Sequence, residues 1–468
     1  MDLSVLPSKT TPFLRDPEFK RKLQELRRGD NTTNWVYLIR TYLMLALVIG
    51  ATIGFYRFGA AAGWPILWNI PVTLFAIVAV GALQHHLACL AHEAAHNTLF
   101  KSRYLNDLVG EWLCSFPMIS SNFHYGLHHL AHHQFVNDPE RDPDLSQLQQ
   151  SGHKLNFPLL KQELLQTWFK QLWLPNLLRY SRARAEYDSI GTEKNPYIRK
   201  DWKPTNFPMH LWIAYLVLLT ASVTGCVFLE NTLLLAGVPV VGCLGLVTVL
   251  GFLPEEYYYQ SRIRPLISVR NPLQMRVVFM TLLIGGLAWA TFLTGQPWAV
   301  YFLLLWVFPL VSSFSFFMVL RQIVQHDNAD RGWLTNTRVF HCGRLFNFSV
   351  FPLGQDFHLP HHMFATVPHY RLKELPETLL AYSEYQHKAR VVEGYFVPKN
   401  QPATNPTVLE VLGPEYASRE DEAVYIDNTV LDSRKVSQWD RAELEREGER
   451  EIQRTRKNVV QDRFRASG

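Results

Sequence analysis

Six long apolar stretches occupy much of the chain before residue 321. A helix needs about 20 apolar residues to cross the hydrocarbon layer of a membrane. Each stretch is close to that length; the stretches cover 36–57, 63–84, 208–229, 232–253, 275–294 and 298–320. The pattern predicts an all-α integral membrane protein with four to six transmembrane helices, the lower number applying if one hairpin lies in the membrane interface.

The segments that join these stretches differ in charge. The short turns contain no Lys or Arg; they are 58–62, 230–231 and 295–297. The segments 85–207 and 254–274 contain many such residues, as cytoplasmic loops do. We therefore expect these segments and both termini to face the cytoplasm. No cleavable signal peptide is expected, because 1–34 is polar and lacks an apolar core.

Charge and cysteine content divide the rest of the chain. Hydrophobic residues make up 48% and charged residues 19%, and the formal net charge of +5 is too modest to indicate nucleic-acid binding. We expect a cytosolic N-terminal segment at 1–33, a membrane domain at 34–390 and a charged cytosolic tail at 391–468. In the tail, 436–464 mixes both charges at helical spacing, which predicts a solvated helix or, alternatively, a partner-docking helix. The five scattered cysteines indicate neither a disulfide framework nor a zinc ribbon.

Three groups of histidines lie in the segments predicted to be cytoplasmic. Their sequences are His92-Glu93-Ala94-Ala95-His96, His129-Leu130-Ala131-His132-His133 and His358-Leu359-Pro360-His361-His362. On a helix, residues three and four apart share a face, so each group directs two or three imidazoles to one point. Proline is tolerated in a first helical turn, so the third group can open a helix with His358 at its cap.

Imidazoles that converge from three segments indicate bound metal. Buried rings without hydrogen-bond partners are costly, and neutral imidazole is a ligand for Zn, Cu, Fe and Ni. The eight histidines of the three groups exceed the needs of one tetrahedral zinc and suit two six-coordinate ions. The sequence therefore predicts a His-rich di-metal site held by a cytoplasmic helical cap.

Two other functions remain open on the residues alone. The first group reads HExxH, which in a membrane zinc protease would bind zinc and use Glu93 as the base. That function leaves the other two groups unexplained. A membrane protein that only stores metal would need no catalysis. Metal content and oxygen consumption separate the three hypotheses.

The three groups resemble the histidine boxes of the membrane fatty-acid desaturases, whose superfamily includes lipid hydroxylases and carotenoid ketolases. The similar segments are 92–100 (HEAAHNTLF), 129–139 (HLAHHQFVNDP) and 358–370 (HLPHHMFATVPHY). The acidic run 137–143 after the second box is also similar to the family's. The resemblance covers roughly 34–390, and six spans would be a departure from the four that are usual in the family.

This resemblance implies a membrane-bound di-iron oxidoreductase that introduces a double bond into a fatty acyl chain, either acyl-lipid or acyl-CoA. It implies O2 and electrons from a separate donor, such as ferredoxin or cytochrome b5, because the chain has no dinucleotide, iron–sulfur or haem motif. A hydroxylase or ketolase of the same superfamily is the alternative. No catalytic residue beyond the metal centre is predicted.

The resemblance also implies a set of iron ligands. In the family a further histidine near the last span completes the set, and His326 matches it here, with Gln322 one turn earlier as an additional candidate. The implied ligands are His92, His96, His129, His132, His133, His326, His358, His361 and His362.

Neighbouring polar residues receive simpler interpretations. His85 lies on the helical face of the first box and is expected to orient a ligand or to serve as an interface histidine. Glu93 is expected to support the ligands. The basic segments either attract an acidic electron donor or only orient the protein in the membrane. The acids after the second box are expected to cap turns; they are Asp138, Glu140, Asp142 and Asp144.

Overall fold

Six long apolar helices organise the computed structural model, which describes residues 12–417, 424–432 and 434–466. They are long and apolar enough to cross a membrane. We call them spans 1 to 6: Thr33–Ala61, Ile66–Ala95, Phe207–Phe228, Thr232–Phe252, Asn271–Thr294 and Trp298–His326. The described chain has strands only in two short pairs. The prediction of an all-α integral membrane protein is confirmed, with the larger of the predicted numbers of spans.

Spans 2 and 6 extend beyond their predicted ends. Span 2 continues past 84 to Ala95, and span 6 continues past 320 to His326. An apolar pattern ends where polar residues begin, so it does not reveal that the same helix continues. The first box and His326 are consequently held at the ends of two long helices.

Close packing of spans 2 and 6 fixes the positions of these ends. Leu83 and Leu90 of span 2 belong to the same apolar cluster as Phe314 of span 6. A Cβ added at Gly81 would lie 2.6 Å from the backbone nitrogen of Phe314. Only glycine therefore permits this approach of the two backbones.

Spans 3, 4 and 5 pack mainly against one another. Leu219 of span 3 packs in a cluster with Leu235 of span 4, and Leu250 of span 4 packs with Val277 of span 5.

Span 6 contains a π-helical stretch at Leu303–Val307.

The remaining elements lie mostly between or after the spans, on the side that carries the histidines. The helices are Pro17–Leu26, Arg103–Val109, Gly110–Ser115, Asn122–Gln134, Pro143–Ser151, Lys161–Gln171, Leu174–Ala185, Glu186–Ile190, Arg344–Ser349, His358–Met363, His369–Leu372, Glu374–Leu379, Ser383–Lys388, Val408–Val411 and Gln438–Ala466. Short 3-10 helices lie at Pro12–Arg15, Ile66–Trp68, Phe116–Met118, Glu255–Tyr257, Pro414–Tyr416 and Asn428–Leu431. The strand pairs are Arg338–His341, parallel to Arg390–Glu393, and Ile263–Arg264, antiparallel to Lys435–Val436.

The N-terminal helix Pro17–Leu26 packs against the third box. Phe19 and Leu23 are buried in one cluster with Leu359 and Met363 of the box-3 helix, His358–Met363. This segment therefore contributes apolar side chains to the support of the box in addition to its surface charges.

The tail also packs on the rest of the chain. We call residues 424–432 and 434–436 the strap. Ile426 and Leu431 of the strap, with Leu444 of the C-terminal helix, are buried in one cluster with Leu127 of the box-2 helix, Asn122–Gln134. The helix expected at 436–464 is present as Gln438–Ala466, but it is not solvated all round, because Leu444 is fully buried. Ile452, eight residues later, packs against the same cluster. Apolar residues this far apart among many charges give only a weak periodic signal.

Opposite charges hold the C-terminal helix to the basic segments. Lys200 Nζ lies 3.1 Å from Glu443 and 2.7 Å from Glu447, and Arg262 lies 3.3 Å from Glu447. Part of the basic surface that the sequence offers to an acidic donor is therefore paired within the chain.

Candidate metal centre

The nine predicted histidines lie together, in two groups. Within each group, one ring nitrogen of every residue lies within 4.8 Å of the others. The first group is His92, His96, His129, His133 and His361; the second is His132, His326, His358 and His362. The structure thus brings together every histidine that was predicted for the site, and all are buried.

One nitrogen separation in each group is close to that of adjacent ligands on a six-coordinate metal ion. A metal–imidazole bond of about 2.1 Å places adjacent ligand nitrogens about 3.0 Å apart and opposite ones about 4.2 Å apart. In the first group, the Nε2 atoms of His96 and His129 are 2.8 Å apart. In the second, the Nε2 atoms of His326 and His358 are 2.8 Å apart. Nε2 of His92 is buried without a hydrogen-bond partner among the described residues, which leaves its lone pair for a ligand.

The boxes interleave between the two groups. The box-2 helix presents His129 and His133 to the first group and His132 to the second. The box-3 helix presents His361 to the first group, and its other two histidines to the second. This helix begins on His358 with Phe357 as its cap, one residue earlier than predicted.

A stacked pair of rings joins the two groups. The rings of His133 and His362 lie 4.1 Å apart between centroids, at 8° between planes. Since one belongs to each group, the groups are adjacent and form one cluster.

The carboxylates after the second box have a role that the sequence did not indicate, because they contact its histidines. His132 Nδ1 donates to Asp142 at 2.9 Å and 3.1 Å, and His128 Nε2 donates to Asp144. Asp142 also caps the helix Pro143–Ser151, as predicted. A turn-capping aspartate gives no sign in the sequence that its second role is to hold an imidazole.

Two other contacts orient candidate ligands. Nδ1 of His326 donates to the backbone carbonyl of Asn336 at 3.0 Å, and Nδ1 of His92 lies 3.4 Å from the side-chain amide of Gln355. Partners of this kind fix the tautomer and direction of a metal-binding ring. A backbone carbonyl and an isolated glutamine carry no sequence signature.

Burial keeps most of the rings outside the spans neutral. Burial lowers the pKa of His96, His129 and His133 well below 6.5, and that of His361 to about 3. Neutral rings have the free lone pair that metal binding requires. His132 differs: burial lowers its pKa, but the charges of the carboxylates behind it outweigh burial and raise the pKa to about 9.

The other singled-out residues have defined partners. Nδ1 of His85 donates to the Ser349 carbonyl at 2.7 Å, as an interface histidine would. The carboxylate of Glu93 accepts from the Thr98 hydroxyl at 2.8 Å and the His369 backbone N–H at 3.0 Å. Those contacts tie the first box to the segment after the third. Gln322 accepts a hydrogen bond from the Tyr180 hydroxyl at 2.7 Å.

Comparison with known proteins agrees with this arrangement. The family model described as fatty acid desaturase matches residues 71–273 and 258–393, which together cover more than half of the chain. The chain belongs to the fatty acid desaturase family.

Two curated relatives are similar over shorter segments. The dihydrorhizobitoxine desaturase of Bradyrhizobium elkanii is 32% identical over 136 residues, which are 29% of this chain and 35% of that protein. The Delta(5) fatty acid desaturase fat-4 of Caenorhabditis elegans is 28% identical over 125 residues, 27% of this chain and 25% of that protein. The chain thus matches about a third and a quarter of the length of these relatives.

Proposed function

We propose that this protein is a membrane-bound di-iron oxidoreductase that uses O2 to introduce a double bond into a fatty acyl chain. The observation that carries the proposal is the pair of buried all-histidine groups at the ends of spans 2 and 6. Membership of the desaturase family supports the same reaction class.

The nine histidines are the proposed iron ligands. Iron bound in these groups would supply the activation of O2 that allows hydrogen to be removed from an unactivated carbon chain. The chain's contribution is to hold most of the rings neutral, to set the directions of three of them through Asp142, Asn336 and Gln355, and to exclude water by burial.

A large cavity supports an acyl substrate. It has a volume of about 770 Å³ and lies beside the start of the box-2 helix, between Phe123 and residues of spans 3 and 5 such as Trp212. Cavities of roughly 300–1,000 Å³ are the size that holds small ligands, and the aromatic wall is interrupted here by charged residues such as Arg182 and Lys194. Lipid analysis of the products identifies the acyl carrier, which is either CoA or a complex lipid.

Electrons are proposed to come from a separate protein such as ferredoxin or cytochrome b5. The basic segments would attract such acidic partners, although Lys200 and Arg262 are already paired with the C-terminal helix. The proposal places the boxes and both termini in the cytoplasm, with the membrane domain at 34–390 between the N-terminal segment 1–33 and the tail 391–468.

Hydroxylation or ketolation by the same kind of site is the second candidate function, because those enzymes share the superfamily of the resemblance. A zinc protease fits less well. The Glu93 carboxylate accepts two hydrogen bonds from the protein, whereas a catalytic base must be able to take a proton from water.

Removal of one box histidine tests the proposal. His129→Ala and His361→Ala should each abolish turnover and lower bound iron below two per chain. His387→Ala, at an exposed histidine far along the chain, is the control and should change neither quantity. Metal content is measured on purified protein, and turnover by lipid analysis of a host with and without the chain.

Each alternative has a distinct result. One zinc per chain indicates a protease, iron without O2 consumption indicates storage, and alcohols in place of alkenes indicate a hydroxylase. Full iron and turnover in either box variant would contradict the ligand assignment.

A further inference from the structure

A basic cavity lies where spans 1 and 2 meet the segment that follows span 6. Its volume is about 440 Å³, within the roughly 300–1,000 Å³ that holds small ligands. Its wall includes three cations and two histidines, which are Arg40, Arg344, Lys399, His86 and His341. No Asp or Glu is present among its described lining residues. The wall of this cavity, which we call the basic cavity, therefore carries a surplus of positive charge.

None of the three cations has a partner of opposite charge in the described part of the chain. The guanidinium carbon of Arg40 lies 5.2 Å from the centroid of the Tyr37 ring, which carries no charge to balance it. No described carboxylate forms an ion pair with Arg40, Arg344 or Lys399. All three side chains are exposed, so they are free to contact an anion from outside the chain.

Two acids lie behind the wall, and hydrogen bonds within the chain engage both. The carboxylate of Glu393 accepts from Asn400 at 2.9 Å and from Thr404 at 2.6 Å. Asp356 accepts from the side-chain amide of Asn347 at 3.0 Å. Burial raises the pKa of Asp356 to about 7, so this carboxyl is only partly ionised at neutral pH. Even with both acids ionised, three cations against two carboxylates leave a positive surplus.

The basic cavity borders the surface of span 1 that would face lipid. Arg40 lies in the first third of the span. Val36, Leu43 and Leu47 lie on the same helical face as Arg40, and all three are exposed. A long basic side chain on such a face reaches the headgroup layer while its stem packs on apolar surface. The cavity is therefore at the depth of the lipid headgroups.

The second cation is fixed at the same surface by span 2. His86 Nε2 donates to the backbone carbonyl of Phe348 at 2.9 Å, which holds the helix Arg344–Ser349 against the span. Leu345 and Phe348 of this helix are exposed. The helix thus presents a cation beside apolar side chains, as segments at a membrane interface do.

We propose that the basic cavity binds the phosphate of an anionic phospholipid, with Arg40, Arg344 and Lys399 as its cationic contacts. Basic pockets beside transmembrane helices bind anionic headgroups through this kind of charge surplus, and guanidinium groups match the oxygens of a phosphate. The exposed apolar face of span 1 would contact the acyl chains, which a soluble phosphate lacks. This lipid is a bound partner of the membrane domain, and its binding requires neither iron nor turnover.

Competition between two lipids with the same acyl chains tests the site. Phosphatidylglycerol is anionic and phosphatidylcholine is neutral overall, although both contain a phosphodiester. Native mass spectrometry of the full-length protein in a neutral detergent measures the dissociation constant of the first lipid bound. The wild type should bind phosphatidylglycerol about tenfold or more tightly than phosphatidylcholine.

Substitution of each cation identifies the contacts. Arg40→Gln, Arg344→Gln and Lys399→Gln should each weaken phosphatidylglycerol binding about fivefold, the factor expected for one basic residue near an anionic headgroup. Binding of phosphatidylcholine should change little. Lys373→Gln is the matched control, because Lys373 is exposed in the segment after the third box but does not line the cavity. Thermal unfolding of every variant shows whether a loss of binding reflects a loss of folding.

Each remaining outcome would overturn the proposal. Equal affinity of the wild type for the two lipids does so, as does an unchanged preference in folded Arg40→Gln and Arg344→Gln. An equal loss in Lys373→Gln indicates a general attraction of the basic surface. If inorganic phosphate at the lipid's concentration displaces phosphatidylglycerol as well as a second lipid does, the occupant is a soluble phosphate. Because the measurement involves no turnover, failure of the desaturase proposal leaves it unaffected.

Discussion

Asp142→Asn should weaken one half of the metal centre and leave the other half unchanged. Asp142 is 2% exposed and accepts from Nδ1 of His132 at 2.9 Å and 3.1 Å. Its oxygens also accept from the backbone N–H groups of Asn137 and Asp144. Asparagine keeps the shape and can still cap the following helix. It replaces one oxygen by an NH2 group and removes the charge that holds His132.

Loss of such a partner typically costs about 10–100-fold in metal affinity, which equals about 1.4–2.7 kcal/mol. His132 belongs to the second group only. The affinity of that group should fall by this factor, while the group around His129 should keep its own. Iron per chain, followed during dialysis against chelators of increasing strength, should therefore decrease in two separate steps.

Asp138→Asn is the control from the same loop. Asp138 is as deeply buried and accepts from Arg141 and Arg331, but it contacts no histidine of the cluster. Its variant should release iron as the wild type does. If Asp142→Asn also releases iron as the wild type does, His132 does not need the carboxylate. If both variants lose both irons together, the effect is a general loss of structure.

Two further predictions concern the packed tail. Leu444→Ala should lower the free energy of unfolding by about 2–4 kcal/mol, because Leu444 is fully buried. Trp439→Ala is the control, because this residue of the same helix is 72% exposed, and it should change the free energy of unfolding little. Thermal unfolding in detergent measures both variants. Burial raises the pKa of Asp427 from 3.8 to about 6. The folded state therefore holds this proton more tightly than the unfolded chain, and stability falls as the pH rises from about 4 to 6. Asp427→Asn should remove at most about 3 kcal/mol of this pH dependence; an unchanged slope between pH 4 and 6 would contradict the assignment.

The spans and the boxes could be predicted because their signals are local. Twenty apolar residues in a row identify a span, and histidines three or four apart identify one face of a helix. His326 needed the family resemblance, because a single histidine at the end of an apolar helix has no pattern of its own. Its position 2.8 Å from His358 depends on the contact of two segments that the sequence does not relate.

The residues that support the cluster could not be predicted for the same reason. Asp142 has a sufficient local explanation as a helix cap, and Gln355 reaches His92 across 263 positions. In each case the role of the residue depends on the side chain that it contacts in the folded structure, which the local sequence does not show.

Both chain ends belong physically to the support of the metal centre. The box-3 helix has 6 residues and the box-2 helix 13, and helices of this length are marginal without tertiary packing. The N-terminal helix packs on the first of these through Phe19, and the strap packs on the second through Ile426. Imidazoles can hold two ions only if their helices stay fixed to within a fraction of an ångström. Composition separates the charged ends from the apolar domain, but the apolar contacts of Phe19 and Ile426 make both ends part of the structure that positions the histidines.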